Sequence, residues 1–162
     1  MTTLNLSQTC IGLAAAKNPD TTALIIDGGE HFSFRELEQR VLCAASTFTD
    51  LPAASPVLIA LPDSFEFVLA FFAANAAGMV PIPASSQLTE RELGFMAKSA
   101  VAVVGDDDTP DLGVPQRHIR QLLAAKHATA YAPTDAESPA YILFTSGTTS
   151  QPKAVIHAQR VI

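Results

Sequence analysis

The stretch of residues 65–77 constrains this chain most, because it has the length of a helix and is apolar on almost every side. A helix of that kind must lie between layers of a fold rather than on its surface. Residues 57–61 precede it as a continuous apolar run between prolines, which is typical of a strand covered on both faces in a parallel sheet. Residues 80–83 follow as a short extended segment, after Gly78 ends the helix. The pattern predicts a buried helix between two extended segments.

Capping boxes predict where three helices begin. Residues 33–36 and 89–92 each place a hydroxyl side chain three positions before a glutamate, so that each side chain can bond the other's backbone amide. Asp63, with Glu66 three residues on, is expected to cap the buried helix.

The remaining segments alternate between the two kinds of element. We expect further strands at residues 22–27, 31–32, 101–104, 141–145 and 154–157, and helices at residues 7–17, 33–51, 89–99 and 118–126. Cys10, Leu13 and Ala14 are expected to form the buried face of the first helix. This alternation favours an α/β layered sandwich with a largely parallel sheet.

Composition excludes several classes of partner. The chain has 162 residues and a formal net charge of −6 without a run of Lys or Arg, which argues against nucleic acid and anionic membrane surfaces as partners. Its longest apolar stretch is shorter than the about 20 residues of a membrane helix, and its N-terminus has no secretory pattern. We therefore expect a cytoplasmic protein without a membrane span, in which Cys10 and Cys43 are reduced core residues.

The histidines, the cysteines and the acidic turn are not predicted to bind a metal ion. The four histidines lack ligand spacing with each other or with either cysteine. The acidic residues 106–108 are expected to form a solvated turn rather than a cation site.

The segment of residues 144–155 carries the residues that point to chemistry. It is rich in hydroxyl side chains and includes one glycine and one lysine, in a loop between two predicted strands. Hydroxyls can donate to phosphate oxygens, Gly147 allows backbone amides to approach an anion, and Lys153 supplies a positive charge. It is not a Walker loop, since no glycine precedes Lys153 and no Ser or Thr follows it. A solvated turn is the alternative interpretation.

The order of these residues resembles the phosphate-binding signature of the adenylate-forming (AMP-binding) superfamily. That superfamily includes acyl-CoA and aryl-CoA synthetases, the adenylation domains of nonribosomal peptide synthetases, and luciferases. Residues 32–37, 61–67, 78–83 and 156–157 resemble further family segments in register along the chain. Ser150 and Ala154 depart from the pattern, because the family usually has glycine at both positions.

The resemblance implies an ATP-dependent carboxylic acid:CoA ligase, most similar to bacterial acyl-CoA or aryl-CoA synthetases. ATP and a carboxylic acid would give an acyl-adenylate and pyrophosphate, after which coenzyme A would take the acyl group. It implies that the phosphates and Mg²⁺ are bound by the loop residues Thr145, Ser146, Gly147, Thr148, Thr149, Ser150 and Lys153. No residue of the chain is expected to act as a nucleophile or a general base, and none as a dedicated metal ligand.

The resemblance covers roughly the first third of such an enzyme. Residues 1–162 are expected to be a partial N-terminal domain that ends just after the phosphate-binding loop, with the C-terminal lid domain absent. We expect such a fragment to be inactive by itself, and its incomplete sheet to leave edges open to self-association. Three alternatives remain: an adenylation domain that loads a carrier protein, a non-catalytic nucleotide- or phosphate-binding module, and an assembly module.

Overall fold

The computed structural model describes residues 5–85, 87–145 and 152–161. The helices are α1 (Leu13–Lys17), α2 (Phe34–Ala45), α3 (Phe65–Ala76), α4 (Glu90–Ala97) and α5 (Ile119–Ala124). The strands are β1 (Thr22–Ile25), β2 (His31–Ser33), β3 (Pro56–Ala60), β4 (Val80–Ala84), β5 (Ala102–Gly105), β6 (Gln116–His118), β7 (Pro139–Thr145) and β8 (Lys153–Ala158). A π-helical turn, Gln8–Gly12, precedes α1, and 3₁₀ turns follow α2 and β8.

A four-stranded parallel sheet of order β4-β3-β5-β6 forms the centre of the fold. Successive residues of β3 point to opposite faces and enter two separate clusters of buried side chains. Val57 and Ile59 pack with α2, α3 and α5, whereas Leu58 packs with α4 and with Ile142 of β7. Two antiparallel pairs, β1 with β2 and β7 with β8, complete the strands. The predicted α/β class with a parallel sheet is confirmed.

The buried helix α3 is capped one residue later than expected. Ser64 has an extended backbone, and its hydroxyl accepts a hydrogen bond from the amide of Phe67 at 3.2 Å. Asp63 lies one position too early for this role, so its prediction as the cap is wrong. Both predicted capping boxes are confirmed, at Ser33 and at Thr89.

The buried face predicted for the first helix is wrong. Leu13 is 60% exposed and Cys10 is also exposed, whereas Ile11 and Ala15 are buried. The buried residues Ser7, Ile11 and Ala15 recur every four positions, so the face that meets the core is rotated from the predicted one. Cys43 is half-buried and, like Cys10, is a free thiol, so neither cysteine is the core residue that was expected.

The edge strand β6 was not predicted, because its side chains are polar. Arg117 anchors it, with its guanidinium 2.7 Å from both carboxylate oxygens of Asp50 and 5.8 Å from the centre of the Phe48 ring. His118 then caps α5 by accepting from the amide of Arg120. The helix predicted over residues 118–126 is therefore shorter.

The capping boxes give the fold a pH dependence. The amide and hydroxyl of Ser33 donate to Glu36 and lower the pKa of its carboxyl, and the hydroxyl and amide of Thr89 do the same for Glu92. A lowered pKa in the folded state gives a stabilisation that is present above the unfolded-state pKa and is lost as pH falls through the folded-state value. We expect the urea midpoint to fall on acidification from about pH 6 to about pH 3.

The double variant Glu36→Gln/Glu92→Gln should show a flatter dependence of the urea midpoint over the same range. Glu30→Gln is the matched control, because this glutamate is exposed in the turn between β1 and β2. An equally steep dependence in the double variant would contradict the assignment.

Candidate phosphate-binding site

The hairpin of β7 and β8 brings two of the predicted site residues together. Thr145 is the last residue of β7, Lys153 is the first of β8, and the two stand opposite each other in the antiparallel ladder. The Thr145 hydroxyl lies 3.4 Å from the carbonyl oxygen of Lys153, and both residues are exposed. A hydroxyl donor and an ammonium group are therefore placed at the same end of the hairpin, the end that the connecting loop joins (the loop end).

The other predicted members of the site are Ser146, Gly147, Thr148, Thr149 and Ser150, and these lie outside the described residues. Their role stays a prediction. The two strands that border them are confirmed, and both extend slightly beyond the predicted bounds.

One face of the hairpin carries an aromatic pair below the Thr145–Lys153 end. The rings of Tyr141 and His157 stack with centroids 4.6 Å apart, and Phe71 of α3 lies 6.0 Å from Tyr141. His157 shares this face with Lys153, because residues two or four apart on a strand point the same way. The stack accounts for the position of His157 without a ligand.

The opposite face holds the hairpin against the parallel sheet. Ile142 is 8% exposed and packs in the cluster that includes Ile82 of β4, and Phe144 meets Phe95 of α4 edge to face. A groove of about 940 Å³ lies next to this end of the hairpin, lined by α4, by residues 111–112 and by Pro152. The loop end of the hairpin is thus placed by packing and borders a space large enough for a ligand.

The carboxyl edge of the parallel sheet is the other location to consider, since open α/β sheets often bind ligands where the strand order reverses. Between β3 and β5 this position is filled by Thr109, whose hydroxyl oxygen accepts from the amide of Asp106 at 2.9 Å and lies 3.2 Å from the carbonyl of Ala60. The adjoining cavity of about 390 Å³ is lined by the carboxylates of Glu90, Asp106 and Asp108. Among the described residues no cation lines this cavity, so like charges there disfavour a polyphosphate. The groove beside the hairpin also has carboxylates, but Arg91 and Lys98 line it as well and Lys153 stands at the hairpin end, so the hairpin end is the better candidate.

The acidic turn of residues 106–108 is engaged in ion pairs. Asp107 contacts His118 and Arg120, and the hydrogen bond from His118, followed by the charge of Arg120, holds the pKa of its carboxyl below the usual value. Within residues 5–85, 87–145 and 152–161, no group of three or more His, Cys, Asp or Glu side chains is arranged to hold a metal ion. Among the described helices, none has the length and apolar character to cross a bilayer.

Sequence reasoning missed a group of buried polar side chains at the base of the hairpin. Asn5, Ser7, Asn75 and Gln159 are all at most 5% exposed and hydrogen-bonded to one another or to nearby backbone. One signal could have found them: Asn75 is an amide within a helix that is otherwise almost wholly apolar.

Comparison with curated proteins gives synthase and synthetase relatives. The chain is 32% identical over 157 residues to enterobactin synthase component F of Escherichia coli (strain K12), covering 91% of this chain and 12% of that protein. It is 29% identical to pyochelin synthetase PchE of Pseudomonas aeruginosa, covering 88% of this chain and 10% of that protein. The chain thus spans about a tenth of the length of these relatives.

Solved structures share the fold over nearly the whole chain. The N-terminal subdomain of Klebsiella oxytoca NpsA, in complex with 3-hydroxybenzoyl-AMSN, superposes with a TM-score of 0.86 at 27% identity and covers 97% of this chain and 41% of that chain. ATP-bound MatB from Rhodopseudomonas palustris gives a TM-score of 0.85 at 22% identity, covering 98% and 35%, which is a likeness of fold. The profile of the AMP-binding enzyme family matches residues 13–162. The chain therefore belongs to the AMP-binding enzyme family, the adenylate-forming superfamily that its hairpin residues resemble.

Proposed function

We propose that residues 1–162 are the N-terminal part of an adenylate-forming ligase and supply its ATP phosphate-binding loop. The longer enzyme would couple ATP and a carboxylic acid to an acyl-adenylate and pyrophosphate, and would then pass the acyl group to a thiol. The observation that carries the proposal is the pairing of Thr145 with Lys153 at the loop end of the hairpin, within a segment matched by the family profile.

The donor groups at this end fit the charge that the reaction develops. In-line attack of the carboxylate on the α-phosphorus transfers negative charge to the departing pyrophosphate. The ammonium of Lys153 would stabilise that charge, and the hydroxyl of Thr145 would orient a phosphate oxygen. A Mg²⁺ ion bound with ATP would neutralise part of the same charge, held by phosphate oxygens and by hydroxyls such as that of Thr145.

The loop residues 146–150 would add donors to the same phosphates. Ser146, Thr148, Thr149 and Ser150 carry hydroxyls, and Gly147 leaves backbone amides accessible to an anion. These groups contribute positioning and electrostatic stabilisation and no covalent chemistry.

The thiol acceptor is the point on which two candidates differ. The curated relatives are synthetases of enterobactin and pyochelin, and NpsA has been fused with ThdA as an adenylation–PCP di-domain, which supports a carrier-protein thiol. Coenzyme A is the second candidate, as the resemblance of the sequence to acyl-CoA and aryl-CoA synthetases implies. We propose a cytoplasmic location, consistent with the free thiols of Cys10 and Cys43.

Strand β8 supports the proposal that further polypeptide belongs beside this chain. Ile156 is 63% exposed and Val155 is 40% exposed, on opposite faces of the same strand. Exposed apolar strands tend to associate, so the isolated chain should self-associate unless the rest of the enzyme covers them. Light scattering of the chain with and without the remaining polypeptide tests this.

ATP–pyrophosphate exchange tests the proposed function. The full-length enzyme, supplied with a panel of aliphatic, aromatic and amino acids, should exchange labelled pyrophosphate into ATP when one of the acids is present. The 162-residue chain should give no exchange above background, since it spans 41% of the NpsA chain that it matches. Mass spectrometry of the products with coenzyme A, and with a phosphopantetheinylated carrier protein, decides the acceptor.

Exchange by the isolated chain at the full-length rate would overturn the assignment of the chain as a part. The absence of acid-dependent exchange in the full-length protein, across the whole panel, would overturn the ligase assignment. A nucleotide titration that then gave micromolar binding to the chain would favour the non-catalytic binding module.

A further inference from the structure

Asn75 places a carboxamide at the centre of the fold, in a helix that is otherwise almost entirely apolar. Its side chain is fully buried, at 0% exposure. A buried carboxamide is costly unless its donors and its acceptor find partners. The Nδ2 group donates to the carbonyl of Ala140 in β7 at 2.8 Å, and Oδ1 accepts from the amide of Ser7 at 3.1 Å. The helix α3 is thereby joined to β7 on one side and to the N-terminal segment on the other.

Ala140 is the point in β7 where such a bond has most effect. The β7–β8 ladder shifts register between Pro139 and Tyr141, so that Ala140 is an extra residue on its strand. A bulge of this kind interrupts the ladder and redirects the strand beyond it. The bond from Asn75 holds the carbonyl at this irregularity and so fixes the direction in which β7 leaves it.

The second strand of the hairpin is held by another carboxamide. Gln159, which is 5% exposed, directly follows β8, and its Oε1 accepts from the amide of Leu6 at 2.8 Å. The backbone amide of Gln159 donates to the carbonyl of Ser138 at 2.9 Å. The end of β8 is therefore tied both to the start of β7 and to the N-terminal segment.

The N-terminal segment joins these two attachments. Leu6 and Ser7 are consecutive, and their amides donate to Gln159 and to Asn75 respectively. Asn5 adds bonds from its Nδ2 to the carbonyls of Asn75 at 3.0 Å and of Ala132 at 3.1 Å. The family profile begins at residue 13, so this segment lies outside the matched part of the chain.

We propose that Asn75 is a positioning residue for the phosphate-binding end of the hairpin, acting through Ala140 and completed by Gln159 and residues 5–7. Thr145 lies five residues beyond Ala140 on the same strand, which is about 17 Å of extended backbone. Fixing the direction of β7 at Ala140 therefore sets where Thr145 and its partner Lys153 stand. The inference rests on the proposed function, because it is ATP phosphates that these two residues would meet.

Hydrogen exchange of the 162-residue chain tests the attachment without any catalytic readout. Asn75→Leu removes the carboxamide at similar volume and should speed exchange of the amides of β7 and β8 at least tenfold relative to those of β3. Val41→Ala is the matched control. Val41 is a fully buried residue of α2 away from the hairpin, so its replacement should lower the stability of the whole fold and speed amide exchange to a similar extent in β3, β7 and β8. Gln159→Leu, at the edge of the same network, serves if Asn75→Leu fails to fold. Unchanged relative protection of the hairpin would overturn the proposal.

The kinetics of ATP–pyrophosphate exchange by the full-length enzyme test the positioning role. Asn75→Leu should raise the KM for ATP or lower kcat by about ten- to a hundredfold, whereas Val41→Ala should change neither parameter per folded molecule. The double variant Asn75→Leu/Lys153→Ala should lose less activity than the product of the two single losses. A lysine that Asn75→Leu has already displaced contributes less to the rate, so removing it has a smaller effect. Additive effects would contradict the proposal. If the wild-type enzyme shows no ATP–pyrophosphate exchange, the proposed function fails. Hydrogen exchange of the 162-residue chain still tests whether Asn75 holds the β7–β8 hairpin in place.

Discussion

Replacing Lys153 by alanine in the full-length enzyme is expected to lower the rate of ATP–pyrophosphate exchange by about 10²- to 10³-fold. Removing a preorganised group that stabilises charge in a transition state typically has an effect of this size. Lys153 is exposed and stands opposite Thr145, so its ammonium group is accessible to a phosphate at the loop end of the hairpin. Because the side chain is exposed, the substitution should leave the urea midpoint nearly unchanged.

Two further variants separate charge from general damage. Lys153→Arg keeps the positive charge and should retain more activity than Lys153→Ala, although the different shape of the guanidinium should still cost some rate. Lys17→Ala removes an exposed lysine at the end of α1 and should leave exchange unchanged. Equal activity of Lys153→Ala and the wild-type enzyme would show that the hairpin lysine does not meet the phosphates.

Much of the fold could be predicted because local signals and tertiary structure agree. The apolar runs at β3 and α3 and the two capping boxes indicated a layered α/β fold, and each has a physical cause that acts within a few residues. The polar strand β6 gave no such signal. Its place at the sheet edge depends on Arg117 reaching Asp50, which lies far away in the sequence.

The site could be predicted in composition but not in its support. The order of hydroxyls, glycine and lysine identified the loop, and the structure places its two ends, Thr145 and Lys153, side by side. What holds them there depends on contacts that the sequence does not reveal. The bulge at Ala140 exists only in the pairing of two strands, and the bond from Asn75 spans 65 residues.

The first helix shows that an apolar spacing can fit more than one helix face, and it allows a decisive stability test. The predicted face would bury Leu13, but the face that meets the core carries Ser7, Ile11 and Ala15, and Leu13 is 60% exposed. Leu69 of α3, in contrast, is 1% exposed and lies in the cluster between α2, α3 and the sheet. The same substitution at these two leucines should therefore have very different effects.

Leu69→Ala is expected to lower the free energy of unfolding of the 162-residue chain by about 2–5 kcal/mol, because it removes buried surface and leaves a cavity. Leu13→Ala should change it by less than about 0.5 kcal/mol, since the leucine side chain already contacts solvent. Urea unfolding followed by circular dichroism measures both. A loss at Leu13 as large as that at Leu69 would mean that Leu13 faces the core. The first helix would then be rotated about its axis, which would contradict the placement of Leu6 and Ser7, whose amides meet Gln159 and Asn75.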